Sequence, residues 1–372
     1  MTTSVSANLR DEMRAHMLPN ERDMLDQLIA TANLSAADRA RIAASGAELV
    51  EQIRRSAKPG LMEVFLAEYG LSTDEGIALM CLAEALLRVP DADTMDALIE
   101  DKIAPSDWGK HLGHSASSLV NASTWALMLT GKVLEEETAG IAGQIRGMVK
   151  RLGEPVIRTA VTRAMKEMGR QFVLGETIGK AMTRAAAQEA MGYTYSYDML
   201  GEAARTDSDA LGYLEAYRNA IEQISKAATH GDVRSNPGIS VKLSALYPRY
   251  EAPHKDGVMA TLLPRLTMLC RLAAKGGVGL NIDAEEADRL DLSLDVIEAA
   301  LEDGELVGWD GFGVVVQAYG PRAGFVIDWL HALATRLDRR IMVRLVKGAY
   351  WDTEIKRAQV MGLDGFPVFT HK

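Results

Sequence analysis

Polar and ionisable side chains recur at one kind of place in the second half of this sequence: in, or just past, short apolar runs. Asp198 and Glu202 fall in TYSYDMLGEA, Lys242 in ISVKLSAL, and Asp283 with Glu285 and Glu286 at the end of VGLNIDAEE. Gln317 follows in FGVVVQAY, and Arg344 and Lys347 in IMVRLVKGAY. Any one of these alone reads as a structural ion pair or a solvated loop group. Five consecutive runs each supplying a polar group exceed that need, and they match a fold whose strand ends jointly build an active site. Both signs of charge recur. Lys242, Arg344 and Lys347 form a positive set suited to a carboxylate substrate, a pyrophosphate or a reduced anionic cofactor. Asp283 and Glu202 are placed to hold those cations.

Other motifs carry less. His111-Leu112-Gly113-His114 is an isolated H-x-x-H in a helical segment, for which a surface or capping role outweighs zinc, and no metal site is expected. Gly311-Phe312-Gly313 resembles the start of a dinucleotide fingerprint but precedes a strand instead of following one.

The elements that must position these residues follow from the same runs. The strand-like stretches 194–203, 239–246, 278–284, 312–319 and 341–350 alternate with helix-like stretches 210–227, 257–274, 293–302 and 324–335. This alternation predicts βα units and a parallel sheet. The strands start 45, 39, 34 and 29 residues apart, compatible with the units of a (β/α)8 barrel. A doubly wound open sheet is the competing arrangement. Five strands of eight are present, so the expectation is an incomplete barrel and a chain that is a fragment of a longer protein.

Before residue 190 the chain reads as helices. Ser72-Thr73-Asp74-Glu75 is a capping-box pattern opening an apolar helix that runs to Pro90, and Ser35-Ala36-Ala37-Asp38 resembles another helix start. The polar segment 10–55 reads as a projecting arm, which makes self-association an expectation. The predicted organisation is therefore α/β: a helical arm over 1–52, an α-helical domain over 53–185, and the first part of a barrel over 186–372.

Composition bounds the partners. The 372 residues carry 51 acidic and 41 basic side chains, a net charge of −10, a poor match to a phosphate backbone. No nucleic-acid partner is expected. Cys81 and Cys270 each sit in an apolar segment, as free thiols do in a reducing compartment. The start, MTTSVSANLRDEMRAHMLPN, lacks a hydrophobic signal region. No uninterrupted apolar run approaches the ~18 residues of a membrane span. A cytoplasmic, soluble protein is expected.

The stretches YTYSYDMLGEAA, GISVKLSALYPRY, GLNIDAEEADRL, VVVQAYGPRA and MVRLVKGAYWDTEIKRAQ resemble the proline dehydrogenase domain of the bacterial proline utilisation A flavoenzymes. The resemblance runs from about residue 190 to the end, and more loosely over the helical segment before it. It implies a barrel that binds FAD and oxidises L-proline to Δ1-pyrroline-5-carboxylate in the catabolism of proline to glutamate. Membrane quinone would be the electron acceptor, with peripheral contact at the inner membrane. It further implies FAD contacts from Asp283, Gln317, Arg344, Val346, Lys347, Gly348, Ala349 and Trp351. Lys242 is implied for the proline carboxylate, Tyr350 for the substrate pocket, and Glu202 as the anchor of an arginine outside this sequence. Arg344, Lys242, Asp283 and Tyr350 would be the catalytic set. The ribbon-helix-helix DNA-binding module of some members is not in this sequence, and neither are the last barrel strands or the aldehyde dehydrogenase domain. The chain alone is expected to be weakly active or inactive. Two other readings remain: a non-catalytic remnant that associates through its arm, and a Schiff-base enzyme using Lys242 or Lys347.

Overall fold

The computed structural model describes residues 2–56 and 173–371. The predicted domain over 53–185, with its capping box, Cys81 and His111–His114, lies almost wholly outside the described residues. Two compact units emerge: Met1–Ser35 with Thr177–Lys372, and Ala36–Glu176. Of the second, helix α3 (Ala36–Ser56) is described, starting directly after Ser35.

The first unit begins with α1 (Thr2–Ala15) and α2 (Glu21–Ala32). The Asn20 side chain accepts from the amides of Arg22 and Asp23 to cap α2, and Asn33 ends it in the left-handed region. The unit continues with α4 (Ile178–Glu189), β1 (Ser196–Asp198), α5 (Asp207–Ser225) and β2 (Gly238–Val241). Then follow α6 (Leu263–Lys275), β3 (Gly279–Ile282), α7 (Leu290–Leu301), β4 (Phe312–Gln317), α8 (Ala323–Leu337), β5 (Met342–Val346) and α9 (Trp351–Met361). A reciprocal box between Thr206 and Asp209 opens α5.

All five strands are parallel and lie in sequential order β1-β2-β3-β4-β5. Gly238 pairs with Ser196 on one side and Gly279 on the other, and Gln317 pairs with Val346. A doubly wound sheet reverses its strand order at a switch point; this order does not reverse, so the competing arrangement is set aside. The strands are shorter than the sequence runs, because each run also contains the loop that follows its strand. β2 to β4 are nearly all buried, with Ile239, Val241, Leu280, Phe312 and Val316 in the core. β1 and β5 are the sheet edges, and Val343 and Leu345 of β5 are 45 % and 60 % exposed.

The first part of the expected arm, residues 10–24, packs on the fold, with Arg10, Met13 and Met24 buried, whereas Leu25, Leu28, Ile29 and Leu34 are exposed. Arg10 is buried, and its Nη2 donates to the Asp291 carbonyl and to Asp295 Oδ1, each at 2.8 Å, while its guanidinium lies 5.3 Å from the Trp329 ring centroid. Met13 is fully buried beside it in α1. These contacts seat α1 on α7 and α8, which the polar look of the segment concealed.

The stretch Ala252–Lys275 is long and apolar enough to cross a membrane by length and composition. Here it ends in α6, whose Leu266, Leu269, Cys270 and Ala273 are buried as the layer helix between β2 and β3. Arg265 and Arg271 break up its apolar run, which is why a search for uninterrupted apolar residues passes over it. Cys270 is fully enclosed, and burial pushes its thiol well above the ordinary range, as suits a packed, inert thiol.

Candidate active site at the C-terminal ends of the strands

Parallel strands all present their carboxyl ends on one side of the sheet, so residues just past each strand meet there. Lys242 follows β2 and Asp283 follows β3. Lys242 Nζ lies 2.9 Å from Asp283 Oδ2 and 3.1 Å from Asp198 Oδ2 at the end of β1. Arg344, inside β5, reaches back so that its Nη2 lies 2.6 Å from Asp283 Oδ1 and donates to Ser240 Oγ at 3.1 Å. Ser240 Oγ in turn lies 3.1 Å from Ser196 Oγ. Asp283 thus joins two cations from β2 and β5, and its side chain is only 14 % exposed.

The charge state of Lys242 follows from these contacts. Burial alone would push the ammonium down, but Asp283 and then Asp198 more than offset it, and the Lys242 pKa is raised. A lysine held protonated in this way is an electrostatic anchor and a poor nucleophile, which argues against a Schiff base there. The Tyr217 hydroxyl, from α5, accepts from the Lys242 amide at 3.3 Å and fixes the backbone beneath the ammonium.

A second group surrounds the turn after β5. Gly348 has φ +127°, and a Cβ there would lie 2.4 Å from the Tyr319 ring. Only glycine fits, and the chain passes close over the end of β4. The Ala349 amide donates to Gln317 Oε1 at 3.2 Å, while Gln317 Nε2 donates to the Glu285 carbonyl at 2.8 Å. Gln317 therefore ties the turn after β5 to the loop after β3. Val346 pairs with Gln317 at the end of β5, and Lys347 is exposed just beyond it. Trp351 opens α9 and donates from Nε1 to the Phe369 carbonyl at 2.7 Å. Tyr350 caps the same helix. Burial, then the charges of Glu202, Glu285 and Glu286, push its phenol far up, so it stays a neutral hydroxyl. Glu202 itself is exposed on the loop after β1.

The structure thus brings Lys242, Asp283 and Arg344 into one bonded network and sets Gln317 and Ala349 in a second. Sequence reasoning did not single out Ser240, Ser196, Tyr217 or Ser244 for the site. Ser240 had a readable signal: it stands two residues before Lys242, hence on the same side of β2. Tyr217 had none, because it comes from a helix distant in sequence. Between β3, β4 and the helices that follow them lies a cavity of about 60 Å³ whose lining includes Asp283, Glu285 and Gln317, too small by itself for a cofactor-sized ligand.

A sequentially ordered parallel sheet with cations and carboxylates gathered at the carboxyl ends of its strands is the layout of an α/β enzyme domain. Comparison with known proteins narrows the class. The family profile described as proline dehydrogenase matches residues 181–372, and the chain belongs to that family. The profile described as the proline utilization A proline dehydrogenase N-terminal domain matches residues 8–54. A third, described as the DNA-binding domain of proline dehydrogenase, matches 61–172. That description stands against the expectation of no nucleic-acid module, which rested on net charge and on one missing motif.

Among curated relatives, the bifunctional protein PutA of Salmonella typhimurium is 49 % identical over 95 % of this chain and 27 % of its own length. That of Rhizobium meliloti is 49 % identical over 98 % of this chain and 30 % of its own. A crystal structure of a Bradyrhizobium japonicum proline utilization A mutant has a TM-score of 0.67 and 48 % identity, covering 96 % of this chain and 36 % of that one. The chain therefore spans about a third or less of the length of these relatives.

Proposed function

We propose that the chain carries the proline-oxidising site of a flavoenzyme, converting L-proline to Δ1-pyrroline-5-carboxylate with quinone as the final electron acceptor. The observation that carries this reading is the Asp283 carboxylate shared between Lys242 and Arg344 at the strand ends, in a chain of the proline dehydrogenase family. The residues fit FAD. Arg344 Nε is buried without a hydrogen-bond partner among the described residues, a donor awaiting an acceptor. The Gly348-Ala349 turn lets a ligand approach backbone. Asp283, Gln317, Arg344, Val346, Lys347, Gly348, Ala349 and Trp351 would hold the cofactor. When bound, FAD supplies the acceptor for the two electrons and the hydride that leave the substrate.

The chain's own residues bind and orient. Lys242, kept protonated, holds the substrate carboxylate as a point charge. Asp283 fixes the directions of both Lys242 and Arg344, so neither cation must reorganise during reaction. Arg344 and Lys347 place positive charge where negative charge accumulates. Tyr350, neutral across the ordinary pH range, offers a hydroxyl to the pocket wall.

The exposed Val343 and Leu345 of the β5 edge fit a sheet continued by further βα units into a closed barrel. Turnover by this chain alone is accordingly expected to be slow. The test is an absorbance spectrum after adding FAD and desalting, then L-proline without oxygen. Retained flavin that bleaches, however slowly, is the expected result. Flavin that stays oxidised under saturating L-proline overturns the activity, and a protein that retains none overturns the cofactor site.

A further inference from the structure

The loop between β1 and α5 is pinned at both ends to one short stretch of chain. It leaves β1 at Asp198, whose carboxylate holds Lys242 Nζ. It returns at Ala203 and Ala204, whose amides both donate to Ser244, one to the hydroxyl and one to the carbonyl, each at 3.0 Å. Glu202 sits between those pins. Ser244 lies in the turn Leu243–Ala245, is 2 % exposed, and belongs to neither the charged network nor the turn after β5.

Ser244 is itself held from behind. Its amide donates to Glu285 Oε1 at 3.0 Å. Glu285 is buried and paired with Arg289 at 3.1 Å, and Arg289 lies over the Tyr250 ring. The loop that Ser244 receives is not relaxed. Ala203 has φ +51° and Gly201 φ +136°, and a left-handed alanine persists only where its surroundings over-determine it.

We propose that Ser244 is a positioning residue, which holds Ala203 and Ala204 and thereby fixes Glu202 at the rim of the Lys242 site. The part concerning substrate rests on the proline-oxidising reading above. The contacts of Lys242 and Arg344 to Asp283, at 2.9 and 2.6 Å, do not run through this loop, so loss of the pin weakens substrate retention more than it alters the reacting geometry.

The test uses the 372-residue protein supplemented with FAD and two variants that undo the pin from opposite sides. Ser244→Ala removes the acceptor. Ala203→Pro removes the donor and, with its φ fixed near −65°, cannot keep the +51° of Ala203, so it releases the loop by both routes. Trypsin cutting after Arg205, followed by mass spectrometry of the new terminus at Thr206, reads loop release without needing flavin. Single-turnover flavin reduction over a range of L-proline concentrations separates KM from kcat. Losing one hydrogen bond predicts cutting faster by about five- to tenfold in Ser244→Ala, and by at least that in Ala203→Pro. KM is expected to rise by a similar factor, with kcat within about twofold. Unchanged cutting in both folded variants overturns the pin. Faster cutting with unchanged KM overturns the link to the substrate site. If the unaltered protein is not reduced by L-proline, the proposed activity has failed, and the cutting rates alone still uphold or overturn the pin.

Discussion

Arg344 and Asp283 meet across the sheet: a guanidinium from β5 donates at 2.6 Å to a carboxylate that follows β3, two strands away. The same carboxylate receives Lys242 from β2 at 2.9 Å. Replacing it leaves two partly buried cations facing one another, with Asp198 as the remaining counter-charge on Lys242. Asp283→Asn keeps the shape and removes the charge. Its expected effect is a fall in proline-dependent flavin reduction of about 10- to 100-fold, the scale of losing a charge-assisted contact at a reacting centre. Stopped-flow reduction of the FAD-loaded protein measures it. A loss below twofold would show that the carboxylate does not organise the site.

The turn after β5 makes a second prediction. Gly348→Ala must place a Cβ at φ +127° against the Tyr319 ring. The strained backbone alone costs about 1–3 kcal/mol, and the ring must also move. Urea unfolding should show that loss together with weaker FAD retention. Gly324→Ala is the control, since nothing lies within 4 Å of that position near the start of α8. It should leave stability unchanged or raise it by about 0.5–1 kcal/mol. Equal losses in the two variants would mean that close packing at Gly348 plays no part.

Much of this site was legible because parallel strands impose order. Lys242, Asp283, Gln317 and Arg344 each stand at or near a strand end, and the alternation of strand and helix implies that such ends share one side. What escaped is long-range pairing that local pattern does not encode. Nothing near Tyr217 indicates that its hydroxyl supports the Lys242 amide. Nothing near Ser244 indicates that it receives a loop some forty residues earlier. Arg10 reads as a solvated arm residue, yet Asp291, Asp295 and Trp329 enclose it; partners 281 and 285 residues away leave no trace in its neighbours. The parallel sheet was readable, whereas its sequential strand order was not, because strand and helix alternate in a doubly wound sheet as well.

The seating of α1 is testable by itself. Arg10 is the buried link between α1 and α7, joined by two short contacts and the Trp329 face. Arg10→Ala strands Asp295 with Lys255 alone and removes the packing of the guanidinium plane. Stability should fall by about 1–3 kcal/mol, and protease cutting near residues 14–22 should accelerate. Arg10→Lys should recover only part of this, because an ammonium does not make the fork of bonds or stack on the indole. Full recovery with lysine would mean that charge alone seats the helix.

Alkaline pH should loosen the fold through its buried phenols and Lys242. Burial pushes the Tyr217 phenol up to about 12 and also raises Tyr197 to about 12. Lys242 is likewise raised above its ordinary 10.5, with its two carboxylates overcoming burial. In each case the unfolded chain gives up a proton that the folded chain keeps. Stability from these groups is therefore fully present below the unfolded values near 10 and is lost as pH rises through the folded ones. For the enclosed Tyr217, a shift of this size corresponds to on the order of 2–3 kcal/mol by about pH 12. Urea midpoints should hold from pH 8 to 9.5 and then fall steeply, and the phenolate absorbance of Tyr217, read as the difference from Tyr217→Phe, should appear only as the protein unfolds. Tyr217→Phe should flatten that fall, because it removes one of the groups that drive it. A midpoint unchanged up to pH 11, or a Tyr217 phenolate forming in the folded protein near pH 10, would show that this tyrosine is not shielded in this way.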